Sequence, residues 1–180
     1  MVCNRDEMST QPLTLAAVNR MDEEAFVTRF GDIAEHSPWV AEEAGRARPY
    51  PDREAMVAAF ADAVLQADED AQRALLLAHP DLAGRAAIAG ELAPESRSEQ
   101  AGAGLDRMTA DEYARFSRLN AVYSDRFGIP FILAVKGATK DQVLAAFEAR
   151  LDNPADIEFA TALTQVQRII RFRLEDRVSE

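Results

Sequence analysis

Apolar positions recur at three- and four-residue spacing along almost the whole chain, and polar caps and breakers punctuate them at intervals of one helix. Asp22 stands before Phe26, Val27 and Phe30, with Gly31 as a stop, which predicts a short capped helix. Ser37-Pro38 offers a capping hydroxyl followed by a proline at a first helical position. Asp52 opens a stretch whose inner face is predicted to carry Met56, Val57, Phe60, Val64 and Leu65. A further run from Asp70 to Ala78 leads into His79-Pro80, where the proline disfavours helix at the histidine before it. Thr109-x-x-Glu112 is a capping box for a helix through Leu119, Val122 and Tyr123 to Phe127, with Gly128 as its end. Thr139 opens Lys140 to Leu151, and Pro154 opens a last long helix to about Arg177. Only Ile129 to Val135 reads as strand, and one short apolar segment cannot make a sheet. The pattern therefore predicts one all-α domain, a bundle of roughly eight to nine helices over residues 13–180. A disordered tip is expected over residues 1–12.

Composition narrows the function classes. The 180 residues are 48% hydrophobic and 28% charged, an ordinary globular balance. The net charge of −11 argues against a sequence-independent grip on nucleic acid or on an anionic membrane. An anionic ligand would need a local cluster of cations. Cys3 is the only cysteine, which excludes an internal disulfide and a cysteine-based metal cage. No apolar stretch approaches the ~18 residues of a membrane span. Arg5, Asp6 and Glu7 stand where a secretory signal needs an apolar core, and the final Val178-Ser179-Glu180 is not a peroxisomal tripeptide. These features set the expectation of a cytoplasmic protein.

Candidate chemistry lies where the helical pattern breaks. His79-Pro80-Asp81 places the side chain best suited to proton transfer near neutral pH just past a helix end. The plainer reading is a histidine that ends a helix and packs with its nitrogens satisfied. The triplet also occurs in J-domain co-chaperones, but those need a basic helix before it, and here Asp68-Glu69-Asp70 precedes. Ser96-x-x-Glu99 has the spacing of a capping box, in which Glu99 would fold back on its own helix; alternatively Ser96, Glu99 and Gln100 gather around a ligand. The strip after Gly128 leaves backbone groups in need of partners, although its apolar side chains suit the core equally well. Arg168, Arg171 and Arg173 cannot all point the same way, and one turned inward would be a fork for a carboxylate. With only His36 and His79, a multi-histidine zinc site is not expected, and no Walker A loop, dinucleotide fingerprint or Gly-x-Ser-x-Gly elbow is present.

Taken together, the segments resemble the family of 2-oxo-4-hydroxy-4-carboxy-5-ureidoimidazoline (OHCU) decarboxylases. The matching stretches run in order: Phe30-Gly31 with Glu35-His36-Ser37-Pro38-Trp39, then His79-Pro80-Asp81-Leu82-Ala83-Gly84, then Ser96-x-x-Glu99-Gln100-x-Gly-x-Gly-Leu105. Leu119-Asn120-x-x-Tyr123-x-x-Arg126-Phe127-Gly128-x-Pro130-Phe131, Arg150-Leu151 and Arg173-Leu174 complete the set. The resemblance implies an all-α, cofactor-independent carboxy-lyase, homodimeric and without metal, that converts OHCU stereoselectively to (S)-allantoin in uric acid degradation. It also implies site residues: His79 as catalytic acid/base with Glu99 hydrogen-bonded near it, and Pro80 beside the substrate. Ser96 and Gln100 would hold ureido and ring groups, the backbone at Phe131 and Ile132 would contact the ring, and Arg173 would bind the substrate anion. His36 is expected to be structural. Plant and animal members often end in a peroxisomal tripeptide, so a bacterial cytoplasmic member is implied. Two other readings stay open: a decarboxylase for a related ureido acid, and a non-catalytic helical domain that binds a partner.

Overall fold

A computed structural model describes residues 12–84 and 92–180, and among them it contains nine helices and one pair of two-residue strands. In chain order these are β1 (Leu13–Thr14), α1 (Leu15–Asn19), α2 (Glu23–Phe30), α3 (Trp39–Gly45), α4 (Arg53–Gln66), α5 (Glu69–Leu77), α6 (Pro94–Gly102), α7 (Ala110–Phe127), α8 (Lys140–Arg150), α9 (Ala155–Arg177) and β2 (Val178–Ser179). The expected tip over residues 1–12 lies, apart from Pro12, outside the described residues.

Local chemistry sets the helix ends. Asp22, Asp52 and Asp68 each accept a backbone N–H of the first turn, satisfying a donor that has no intrahelical partner. Thr109 and Thr139 form full capping boxes with Glu112 and Gln142. Gly128 ends α7 at φ +66°, the left-handed conformation that costs a residue without Cβ least.

The centre of the fold is α9, 23 residues and so about 35 Å long. It packs on α4, α5 and α7 through a buried stripe of Ala162, Leu163, Val166, Ile169, Ile170 and Leu174. One end of the core is built on Phe26, Phe30, Tyr50 and Phe60, the other on Phe116, Tyr123, Phe131 and Phe147. The parallel pairing of β1 with β2 ties Leu13 to Val178.

Four local expectations are corrected. Ile129 to Val135 forms no strand and pairs with none among the described residues; instead Arg150 donates to the Ile132 carbonyl at 2.6 Å and the Ala134 N–H donates to Gln165 at 3.1 Å. Side chains thus satisfy the backbone that a sheet neighbour would otherwise satisfy. Ser37 does not cap α3, because its hydroxyl donates to the Glu35 carbonyl at 2.9 Å. Ser96 and Glu99 do not form a capping box, because Pro94 already occupies the first turn of α6 and places both inside the helix. Leu65 is exposed, since the buried stripe of α4 runs through Met56, Val57, Phe60 and Val64 and leaves position 65 on its flank.

Candidate active site

Three helix termini and one loop meet around the guanidinium of Arg173, one turn before the end of α9. Val166, Ile169, Ile170 and Arg173 continue one buried stripe, so the geometry that packs the helix also turns this arginine inward. Arg168 and Arg171 lie elsewhere: Arg171 pairs with exposed Glu54 and with Glu175. Arg173 is only 4% exposed, and every one of its five N–H donors is used. Nε donates to Glu99 at 2.9 Å. One terminal nitrogen reaches the Ile33 carbonyl at 3.1 Å and Glu35 at 3.3 Å. The other reaches Ser96 Oγ and the second oxygen of Glu99, both at 3.0 Å. Burial alone would weaken the hold on the proton, but Glu99 and Glu35 more than offset this and push the guanidinium pKa up, so Arg173 is a permanent cation.

Glu35 belongs to this cluster, although sequence reasoning left it without a role. It sits in the loop between α2 and α3, 3% exposed, where it accepts from Arg173 and from the Ser96 hydroxyl at 3.0 Å. The following residue, His36, is held at φ +46°, a left-handed conformation that a non-glycine residue rarely adopts. Strain of this kind persists where the surroundings over-determine it, here by the buried bonds of Glu35 to Arg173 and Ser96 on one side and the Ser37 hydroxyl donating to the Glu35 carbonyl on the other. A second left-handed non-glycine residue, Ala83 at φ +53°, directs its N–H to Gln100 Oε1 at 3.0 Å.

His79 is carried on the C-terminal end of α5. Its Nδ1 lies 2.8 Å from the Leu75 carbonyl, which can only accept, so Nδ1 holds the proton of the neutral ring. Nε2 is left with a lone pair, and it is buried with no hydrogen-bond partner among the described residues. Burial pushes the His79 pKa below its ordinary 6.5; the Leu75 bond and the charge of Glu35 oppose the shift, and Arg173 and His36 add to it. The ring is therefore neutral at pH 7 and presents an unused base.

One small cavity, about 30 Å³, brings all eight expected site residues together: His79, Pro80, Ser96, Glu99, Gln100, Phe131, Ile132 and Arg173, with Leu82, Leu133, Val135 and Ile169 completing an apolar wall. Phe131 is fixed by stacking on Phe147 at 3.7 Å, and the Arg150 guanidinium lies over its ring at 4.5 Å. Behind it, Arg150 and Asn153 converge on the fully buried Glu158, which also accepts from the Tyr123 hydroxyl. Arg177, one turn beyond Arg173, pins Asp32 and Glu95 and so ties the loop after α2 to the start of α6. Glu99 does not bond to His79; Leu75 orients the imidazole, and Glu99 grips Arg173. A wider groove of about 840 Å³ between α3, α4 and α5 is lined by Trp39 and alanines and holds none of these groups, so Trp39 faces away from the chemistry.

A neutral imidazole base and an inward cation beside an apolar wall suit a small anion that must gain or lose a proton. Comparison with known proteins agrees. The family model for OHCU decarboxylase matches residues 19–175. The 2-oxo-4-hydroxy-4-carboxy-5-ureidoimidazoline decarboxylase of Haloferax volcanii is 45% identical over 167 residues, covering 93% of this chain and 97% of that one. The uric acid degradation bifunctional protein of Bacillus subtilis is 38% identical over 93% of this chain, which spans 33% of its length. The crystal structure of an (S)-allantoin synthase superposes with a TM-score of 0.76 at 31% identity, covering 93% of this chain and 54% of the other. With a match that runs from α1 almost to the end of α9 and takes in every residue around the cavity, the chain belongs to the OHCU decarboxylase family.

Proposed function

We propose that the protein decarboxylates OHCU stereoselectively to (S)-allantoin, the step that gives uric acid degradation a single enantiomer. The observation that carries this reading is the unpartnered Nε2 of His79 in the same cavity as the Arg173 cation. OHCU carries a carboxylate and a hydroxyl on one ring carbon, beside a ring C=N whose carbon bears the ureido group. That C=N is an electron sink built into the substrate.

The residues divide the work as follows. Arg173 holds the carboxylate, and the backbone of the Phe131–Ile132 segment supports the ring. His79 Nε2 accepts the hydroxyl proton. As the bond to CO₂ breaks, its electron pair forms a C=C bond to the ureido-bearing carbon, and the C=N π pair moves onto the ring nitrogen, which takes a proton from solvent. The oxyanion then becomes a carbonyl, and the C=C pair takes the proton back from His79 at the ureido-bearing carbon. One proton is consumed per CO₂ released. Because His79 is fixed by Leu75, it delivers that proton to one face only, which sets the S configuration. Ser96 and Gln100 lie on the α6 side of the cavity, suited to the polar ureido and ring groups.

The protein acts, on this reading, as a homodimer in the cytoplasm. No described helix is long and apolar enough to cross a membrane. Supplying OHCU from urate and following circular dichroism tests the reaction: rapid formation of one allantoin enantiomer supports it, and slow racemic product alone contradicts it.

A further inference from the structure

Arg173 has no donor left for a substrate. Its five N–H groups are taken by Ile33, Glu35, Ser96 and both oxygens of Glu99, so any incoming anion must displace one of these acceptors. The Ile33 carbonyl belongs to the backbone. Glu35 and Ser96 are buried and bonded to each other. Glu99 is different. Its side chain is 22% exposed, and Arg173 is the only hydrogen-bond partner of its carboxylate among the described residues.

Glu99 also meets the guanidinium in the way a free carboxylate would, with two oxygens on Nε and one terminal nitrogen in a side-on fork. The space supports exchange. The cavity of about 30 Å³ has room for about one water, far less than a ring bearing carboxylate and ureido groups. On its other side Glu99 lines a second cavity of about 150 Å³, with Glu95, Ser98, Asp176 and Arg177. A rotation of Glu99 toward that side enlarges the first cavity and frees the fork together.

We propose that Glu99 is an internal stand-in for the substrate: in the resting protein it fills the anion site of Arg173, and the carboxylate of an incoming ring acid takes its place while Glu35 stays as the fixed counter-ion. The proposal rests on the decarboxylase reading and extends it. Exchange keeps two carboxylates around one guanidinium, whereas adding the substrate to the intact cluster would place three there. It also gives the cycle a direction. Loss of CO₂ removes the group that displaced Glu99, the neutral product has no carboxylate to hold Arg173, and the return of Glu99 helps to expel it.

The test uses 2-oxoimidazolidine-4-carboxylate, a stable ring acid, beside neutral (S)-allantoin. A crystal structure with the ring acid is expected to place its carboxylate on Nε and the Glu99-bound terminal nitrogen of Arg173, with Glu99 turned outward; with (S)-allantoin the Glu99–Arg173 fork is expected to remain. By calorimetry, Glu99→Gln is expected to bind the ring acid about tenfold more tightly than the wild type, with no matching gain for (S)-allantoin, in protein whose far-ultraviolet dichroism is unchanged. A ring acid bound while Glu99 still chelates Arg173, an equal gain for both ligands, or no binding of the ring acid to either form would overturn the proposal. Turnover of OHCU on the same preparation separates the two ideas: stereoselective product with an unmoved Glu99 removes the exchange and leaves the activity, while absence of product removes the activity reading itself.

Discussion

Glu35 and Arg173, 138 positions apart in the chain, meet at 3.3 Å in the interior, each less than 5% exposed. The pair joins the loop after α2 to the end of α9, and Ser96 closes the triangle from α6. A buried pair of this kind is held by surrounding hydrogen bonds as much as by its charges, because desolvation offsets much of the attraction. Its consequence is directional: the fork of Arg173 toward the cavity stays fixed because its rear edge is held by Glu35 and the Ile33 carbonyl.

Glu35→Gln keeps the shape and one acceptor but removes the charge. Arg173 then loses part of the rear hold that aims its fork at the cavity, so the substrate carboxylate meets a less well placed guanidinium. The expected result is a KM increase on the order of tenfold, the size of one charged hydrogen bond, with a smaller change in kcat. Steady-state kinetics on the folded variant check this; a fall in kcat with KM unchanged would contradict it.

His79 gives a pH signature. Because its folded pKa lies below the ordinary 6.5, it is neutral and competent through the neutral range, and kcat/KM is expected to be flat from about pH 6.5 to 8 and to fall at lower pH as the ring takes a proton. Stability follows the same sign. Below about pH 6.5 the unfolded chain binds the histidine proton before the folded one does, so the contribution of His79 is present above 6.5 and is lost as pH falls. Thermal melts at pH 7.5 and 5 should show a larger drop in Tm for the wild type than for His79→Gln. Equal drops would place the His79 pKa at its ordinary value.

Glu158→Ala tests what supports the apolar wall. Glu158 is fully buried and accepts from Arg150, Asn153 and Tyr123, and Arg150 in turn holds the Ile132 carbonyl. Removing the carboxylate leaves Arg150 as an uncompensated buried charge, a loss of about 3–5 kcal/mol. Denaturant unfolding should report that cost. A change below about 1 kcal/mol, the size of an exposed pair, would contradict it.

The helices were legible because their signals are local. Asp22, Asp52, Thr109 and Thr139 bond within three residues of themselves, and each capped the helix expected of it. The run expected from Asp70 starts at Glu69, because Asp68, in a triplet of acids, is the one that caps. The strip from Ile129 to Val135 misled because a strand is identified by its neighbour, and here the neighbours are the side chains of Arg150 and Gln165. Within the site, resemblance named residues that the cavity does bring together. Glu35 escaped notice for a physical reason: beside His36-Ser37-Pro38 it reads as part of a helix start, and nothing within that loop indicates a partner on α9. The inward turn of Arg173, by contrast, was written in the three- and four-residue spacing of Val166, Ile169, Ile170 and Arg173.

On the proposed mechanism His79 moves the protons of a stereoselective decarboxylation. OHCU generated in place from urate with uricase and hydroxyisourate hydrolase, followed by circular dichroism, measures rate and handedness together. The wild type is expected to give (S)-allantoin rapidly, and His79→Ala to retain its fold and lose roughly 10²–10⁴-fold in rate, leaving slow racemic product. Near-normal, stereoselective turnover by His79→Ala would contradict the account.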